Sequence, residues 1–337
     1  MKTRMRPTAL VLVATLTVLG GCFAPPPTVE RSSTLPSWNA GGSRDAIIAF
    51  VDRVTDPRSP DFVPEPDRIA VFDNDGTLWS EQPMYAQLAF ALDRVRAMAP
   101  DHPEWKTTPP FQFVLENDLR SLAATGEHGI VELVLATHAG MSTDEFDAIV
   151  EAWLDEARHP QTGRPYDEMI YQPMVELLDY LRLHGFETWI VSGGGLDFMR
   201  IFAEETYGIP PQQVIGSYGD LEYEVGPDGP RLIRTPGIAF IDDKGGKPVG
   251  IHRAIGRRPI AAFGNSDGDF QMLEWTTAGD GPRLGVYLHH TDAEREVAYD
   301  RTSSFGRLDR GLDEADDRGW IVIDMKTDWR IVFPTSE

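Results

Sequence analysis

A single cysteine, Cys22, stands among 337 residues. No intrachain disulfide can form, so a folded domain must hold itself together by burying a core, and a chain of more than 300 residues is long enough to do so. Long apolar runs are scarce too. Past residue 21 no stretch reaches the ~18 continuous apolar residues of a membrane span, which excludes a multi-span pump. Positive charge is the third shortage: 31 Lys and Arg face 53 Asp and Glu, a net charge of −22. Such a surface repels nucleic acid and acidic lipid headgroups and suits small anionic substrates better than polyanions. No internal repeat is visible.

Against these shortages stands one dense motif. Residues 69–77 read IAVFDNDGT, an apolar run ending in two aspartates one residue apart. Side chains alternate along a strand, so Asp73 and Asp75 would leave its end pointing into one shared space. Two carboxylates there repel each other unless a cation intervenes. Mg2+ suits the pair, because it takes a few hard oxygen ligands and keeps several waters, and a phosphate can supply another oxygen. Asp73 would then attack phosphorus while Asp75 handles protons. Gly76 permits the turn off the strand, and Thr77 offers a hydroxyl to the loop or to a phosphate oxygen. Alone, the motif reads equally as a solvated acidic turn.

Three further stretches bear on that choice. The apolar segment 187–191 runs into Ser192-Gly193-Gly194-Gly195, then into a helical pattern with Phe198, Ile201 and Phe202. A strand, a glycine turn and a helix N-terminus would expose unpaired N–H groups to an anion, and Ser192 can bond a phosphoryl oxygen. A plain strand-to-helix connection has the same appearance. Lys247 precedes Pro248 at the head of a helical stretch, where its ammonium group would offset charge on a nucleophile and on phosphoryl oxygens. Lys244 is its rival. Finally, the strand candidate 259–263 leads into Gly264-Asn265-Ser266-Asp267-Gly268-Asp269. Asn265, Asp267 and Asp269 offer oxygens to a hard cation at a strand end, where open parallel sheets bind ligands.

In chain order, Asp73-x-Asp75-Gly76-Thr77, Ser192 after a strand, Lys247, and Gly264-Asn265 through Asp269 resemble the motifs of the haloacid dehalogenase superfamily of phosphatases. Ser192-Gly193-Gly194 with Phe198 and Arg200, together with the long insert before them, resembles its phosphoserine phosphatase branch. The resemblance covers roughly residues 65–290. It implies an α/β fold, a doubly wound Rossmann-like parallel sheet with a mainly helical cap inserted between the first and second motifs. It further implies an Mg2+-dependent phosphatase that hydrolyses small phosphomonoesters through an aspartyl-phosphate. Asp73 would be the nucleophile and Asp75 the acid and then the base, with Ser192 and Lys247 as catalytic partners. Thr77, Ser192, Gly193 and Lys247 would bind phosphate. Asp73, the Asp75 carbonyl, and Asn265 or Asp269 would hold the metal.

Two positions depart from the relatives. Asn265 replaces the usual aspartate and brings no charge. Phosphoserine phosphatases carry a glutamate nine residues after the nucleophile; here that position is Gln82, with Glu81 beside it, so phosphoserine specificity does not carry over. Carbon–halogen cleavage on this fold needs neither metal nor second aspartate, so Asp75 argues for phosphoryl transfer. A phosphomutase, or a surface-tethered binding protein that has lost turnover, is the alternative.

At the N-terminus, Lys2, Arg4 and Arg6 precede the apolar stretch 9–19, which runs into Gly20-Gly21-Cys22. This is a secretory signal, and the small residues before cysteine resemble the bacterial lipoprotein processing site. That resemblance implies cleavage before Cys22, a lipid on its sulfur, and anchoring to the bacterial membrane outside the cytoplasm. Loss of Lys2, Arg4 and Arg6 would take the charge from −22 to −25. Partners would be the membrane and a small phosphorylated substrate, with no nucleic acid. Residues 1–21 are the expected signal, 22–43 a flexible tether, 44–79 and 171–337 the catalytic core, and 80–170 the helical cap.

Helical spacing recurs at 46–54, 84–98, 111–122 and 130–135. Ser142 through Glu145 has the form of a capping box, and Pro173 opens a helix that Gly185 closes. Residues 214–240 suggest a hairpin. Residues 284–288 and 320–324 read as strands, with 325–333 as their partner. His289 and His290 would either face the crevice or serve structure.

Overall fold

The computed structural model describes residues 34–334. One sheet contains β1 (Ile69–Phe72), β2 (Glu187–Gly195), β3 (Val214–Gly226), β4 (Gly229–Phe240), β5 (Ala261–Gly264), β6 (Leu284–His289) and β7 (Ile321–Asp324), in the order β4-β3-β2-β1-β5-β6-β7. Every neighbouring pair is parallel except β3 and β4, the expected hairpin. β1 consists of four buried apolar residues, as a strand covered on both faces must. Its neighbours are β2 and β5, so the connections turn opposite ways on either side of it and a crevice opens at the carboxyl ends of the strands. The doubly wound α/β reading is met.

Helix α1 (Gly42–Thr55) precedes β1. Between β1 and β2 come α2 (Ala86–Met98), α3 (Phe111–Leu115), α4 (Leu119–Ala124), α5 (Gly126–His138), α6 (Thr143–Glu156) and α7 (Gln172–Leu183). Then α8 (Leu196–Tyr207) follows β2, α9 (Gly246–Ile255) follows β4, α10 (Phe270–Thr277) follows β5, α11 (Arg310–Glu314) follows β6, and α12 (Met325–Asp328) follows β7.

The strand period of two divides β1 between two cores. Ala70 and Phe72 join Ile47, Leu177 and Phe202 on one face of the sheet. Ile69 and Val71 join Ile251, Phe270 and Leu273 on the other. Phe72 stacks on Phe263 of β5 with ring centroids 4.4 Å apart, and fully burying such a side chain is worth about 1.5–3 kcal/mol. A third cluster, with Leu92, Val95, Trp105, Phe111 and Leu133, lies within the insert. Backbone bonds tie the two ends of the insert together: Ser80 N donates to Met169 O (2.9 Å) and Tyr171 N to Leu78 O (2.8 Å). The capping box forms as expected, Ser142 Oγ accepting from Glu145 N while Glu145 Oε2 accepts from Ser142 N.

Four expectations are corrected. The tether does not extend to residue 43: Leu35, Ser37 and Trp38 are buried, and Trp38 donates from Nε1 to Pro173 O (2.9 Å). Apolar side chains outweigh the Pro/Ser/Gly content there. The signal stretch and Cys22 lie outside the described residues. Ser192–Gly195 is strand, not turn, because β2 continues to a Gly195–Ser217 pairing with a register shift after Val191. Residues 111–122 break into α3 and α4 at Asn117, which has φ 56°, and the Asp118 carboxylate then caps α4. Residues 325–333 do not form a strand. The Asp324 side chain accepts from Thr327 N and starts α12 instead.

Candidate active site

Asp73 leaves β1 with its N–H donating to Phe263 O (2.9 Å). The chain then folds over itself: Asn74 O accepts from Thr77 N and Leu78 N, and Gly76 N donates to Trp79 O. Gly76 has φ 77°, and a Cβ there would lie 2.1 Å from Asn265 Nδ2 and 2.3 Å from Glu81 Oε1, so no other residue fits. Asp73 and Asp75 are both buried. Asp75 Oδ1 accepts from Trp79 Nε1 (2.7 Å). Burial pushes the Asp75 carboxyl up to about 6, against the pull of that bond and of the Lys247 charge.

Lys247 is the centre of the cluster. Held in the first turn of α9, its fully buried Nζ donates to Asp73 Oδ1 (2.6 Å), Asp269 Oδ1 (2.6 Å) and Val191 O (2.8 Å). Three acceptors match the three protons of an ammonium group. Burial alone would lower its pKa, but the Asp269 and Asp73 carboxylates outweigh it and keep the lysine charged. Its rival Lys244 is solvent-exposed, and among the described residues its ammonium group pairs with Asp243. Burial pushes Asp73 well above the usual carboxylate range, and Asp269 adds to the rise; one ammonium shared by two carboxylates cannot neutralise both.

The last motif divides its work. Asp269 Oδ2 accepts from Asn265 N and Ser266 N (3.0 Å each), so both of its oxygens are engaged in holding the lysine and the loop. Asn265 donates from Nδ2 to Glu81 Oε1 (2.6 Å) and accepts at Oδ1 from Thr77 Oγ1 (3.1 Å). The buried Thr77 hydroxyl, expected at a phosphate oxygen, braces Asn265 in this structure. Asp267 is no cation ligand: its carboxylate accepts from Asp309 N, Arg310 N and Gly311 N at the head of α11.

Ser192 is buried on β2, its Oγ accepting from Gly194 N (3.1 Å), while Gly193 is exposed and its carbonyl accepts from Ser217 Oγ. Gln82 donates to Ser303 Oγ and Phe305 O. Of the two histidines, His290 is buried and its Nε2 donates to Gly76 O (2.7 Å), while His289 faces Asp300. Sequence reasoning did not give Glu81 a role. Burial pushes Glu81 well above the usual carboxylate range, although Tyr299 OH donates to it at 2.6 Å. Its adjacency to position 82 was the one available signal.

Mg2+ is the metal implied by the superfamily, and the donor chemistry fits it. The carboxyls of Asp73 and Asp269 share Lys247, those of Asp75 and Glu81 are buried too, and the free donors are hard oxygens. No group of three or more His, Cys, Asp or Glu among the described residues is placed to hold a metal alone. A metal held there would need a main-chain carbonyl, an amide oxygen and water or substrate to complete its shell.

Fold and site together define an α/β protein with its chemistry at the carboxyl end of the central strand. The family model of haloacid dehalogenase-like hydrolases matches residues 70–274, and the chain belongs to that family. No curated protein matches the chain. Among solved structures it is similar to a protein of unknown function from Bordetella pertussis Tohama I (18% identity, 77% of this chain and 98% of that one, TM-score 0.49). It is also similar to a functionally unknown protein from Anaerococcus prevotii DSM 20548 (17%, 73% and 85%, 0.48). A phosphoserine phosphohydrolase-like protein from Francisella tularensis is a third (18%, 74% and 98%, 0.37).

Proposed function

We propose that this chain is an Mg2+-dependent phosphatase of small phosphomonoesters that works through an aspartyl-phosphate on Asp73. The observation that carries the proposal is the Lys247 ammonium bonded at 2.6 Å to both Asp73 and Asp269. It takes Oδ1 of Asp73 and leaves Oδ2 to attack phosphorus, opposite the leaving oxygen. Asp75 stands two residues on, with its carboxyl near 6. It protonates the leaving alkoxide, then takes a proton from the water that cleaves the aspartyl-phosphate. Ser192 Oγ donates to a phosphoryl oxygen, with the Gly193 backbone beside it.

Asp73, the Asp75 carbonyl and Asn265 would hold Mg2+, with Asp269 reserved for the lysine. When bound, the metal neutralises charge on the phosphoryl oxygens. The insert covers the site during the first transfer and admits water for the second. Export and a lipid on Cys22 complete the proposal and rest on Leu19-Gly20-Gly21-Cys22. Fatty-acid labelling that persists in Cys22→Ser would remove that part.

The full-length protein should hydrolyse an aryl phosphate with Mg2+ and stop when a chelator is added. Asp73→Asn turning over at the parental rate would sink the mechanism. Saturable phosphomonoester binding without turnover would favour the tethered binding protein, and phosphoryl transfer back to substrate would favour a phosphomutase.

A further inference from the structure

Near the start of helix α2 this chemistry leaves a polar side chain unused. Gln87 stands in its first turn, and its Oε1 accepts from Gly195 N at 2.6 Å. That bond fixes the amide, because the reversed orientation would set two donors against each other. Gln87 Nε2 therefore points away from Gly195, and it is buried with no hydrogen-bond partner among the described residues. A Cβ built on Gly194 would lie 2.5 Å from Gln87 Nε2 and 3.3 Å from Ser192 Oγ. The amide and the hydroxyl thus converge over the glycine segment. That segment begins two residues beyond Val191, whose carbonyl accepts from Lys247. A buried amide donor without an acceptor is costly, and such orphans concentrate where a ligand completes the set.

We propose that Gln87 Nε2 binds a phosphoryl oxygen beside Ser192, so that the insert supplies one donor of the phosphate site. The inference rests on the phosphatase reading. A phosphate held this way bridges α2 to the β2–α8 junction, and occupancy of the site is coupled to docking of the insert.

Two variants of full-length protein test it with opposite signs. Gln87→Glu keeps an acceptor for Gly195 N and replaces the donor with an anionic oxygen. Gln87→Lys supplies a cationic donor and no acceptor. With Mg2+ at pH 8, the inhibition constant of inorganic phosphate should rise about tenfold or more in Gln87→Glu, with KM for an aryl phosphate rising alongside it. In Gln87→Lys it should stay at or below the parental value. If Gln87 merely held Gly195, the pattern would reverse, with Gln87→Glu like the parent and Gln87→Lys impaired; that result overturns the proposal. Should Gln87→Glu fail to fold, the phosphate constant of Gln87→Lys decides alone. A parent that neither turns over the aryl phosphate nor binds phosphate overturns the phosphatase reading and this inference together. An active parent with an unaltered Gln87→Glu overturns only this inference.

Discussion

Replacing Asp242 by asparagine should stabilise the protein at pH 8 and leave its stability at pH 4 nearly unchanged. Asp242 lies just beyond β4, fully buried, its N–H donating to Ser217 Oγ (2.9 Å). Neither carboxylate oxygen has a hydrogen-bond partner among the described residues. Helix α9 crosses so close that a Cβ on Gly250 would stand 2.3 Å from Asp242 Oδ1. Burial therefore pushes this carboxyl from 3.8 up to about 7, opposed by the Lys247 charge and reinforced by Asp243 and Asp269. The folded pKa is raised, so the group's contribution to stability is fully present below 3.8 and is lost as pH rises through about 7. At about 1.36 kcal/mol per pH unit, a gap of about three units amounts to roughly 4 kcal/mol above pH 7. Asparagine has nearly the same size and no proton to lose; like the protonated carboxyl it buries an unpartnered donor, so the two side chains are nearly equivalent at pH 4 and differ by the ionisation at pH 8. Urea unfolding followed by tryptophan fluorescence should show its advantage growing from about 0.5 kcal/mol at pH 4 to roughly 4 kcal/mol at pH 8. An advantage that does not change with pH, or a variant less stable than the parent at pH 8, would refute the reasoning.

Three further outcomes are expected. Lys247→Met should lower kcat for an aryl phosphate by about 10²–10³ or more, while Lys244→Met stays within about twofold of the parent; equal losses would undo the lysine assignment. Gly76→Ala should abolish activity and lower the melting temperature, because it adds positive-φ strain of about 1–2 kcal/mol to a clash with Asn265 and Glu81. An active, equally stable Gly76→Ala would show that the loop relaxes. Asp267→Ala should cost about 1 kcal/mol in urea unfolding through the lost cap on α11 and leave the Mg2+ dependence of activity unaltered; a shifted Mg2+ requirement would return Asp267 to the metal shell.

The parts of the fold that were legible in the sequence are those whose signals are local. Ile69 through Gly76 announces a buried strand and a turn within eight residues, and Ser142 with Glu145 announces a helix start within four. Misreadings came where tertiary contact outweighs composition. Trp38 sits in a segment rich in proline, serine and glycine, yet it packs edge-on against Trp329 with centroids 6.0 Å apart. Glycines after Val191 suggested a turn, but a strand flanked by β3 can keep them extended when Ser217 supplies the pairing.

The candidate site follows the same division, and the metal ligands show why. That Lys247 lies near Asp73 could be expected from the order of the motifs; that it also takes an oxygen of Asp269 could not, since residue spacing says nothing about which acceptors an ammonium group reaches. Asn265 looked like a loss of one charge from the metal shell. Its Nδ2, however, donates at 2.6 Å to Glu81, a carboxylate 184 residues away in the chain. A hydrogen bond from the amide nitrogen to a carboxyl oxygen polarises the amide and raises the electron density on Oδ1, the atom available to a cation. Glu81 therefore acts on the candidate metal ligand from one bond further out. Glu81→Gln should then weaken Mg2+ binding, measured by calorimetry on the full-length protein, by about 10- to 100-fold, as loss of an outer-shell partner does. Unchanged Mg2+ affinity would mean that Glu81 only braces the Gly76 turn.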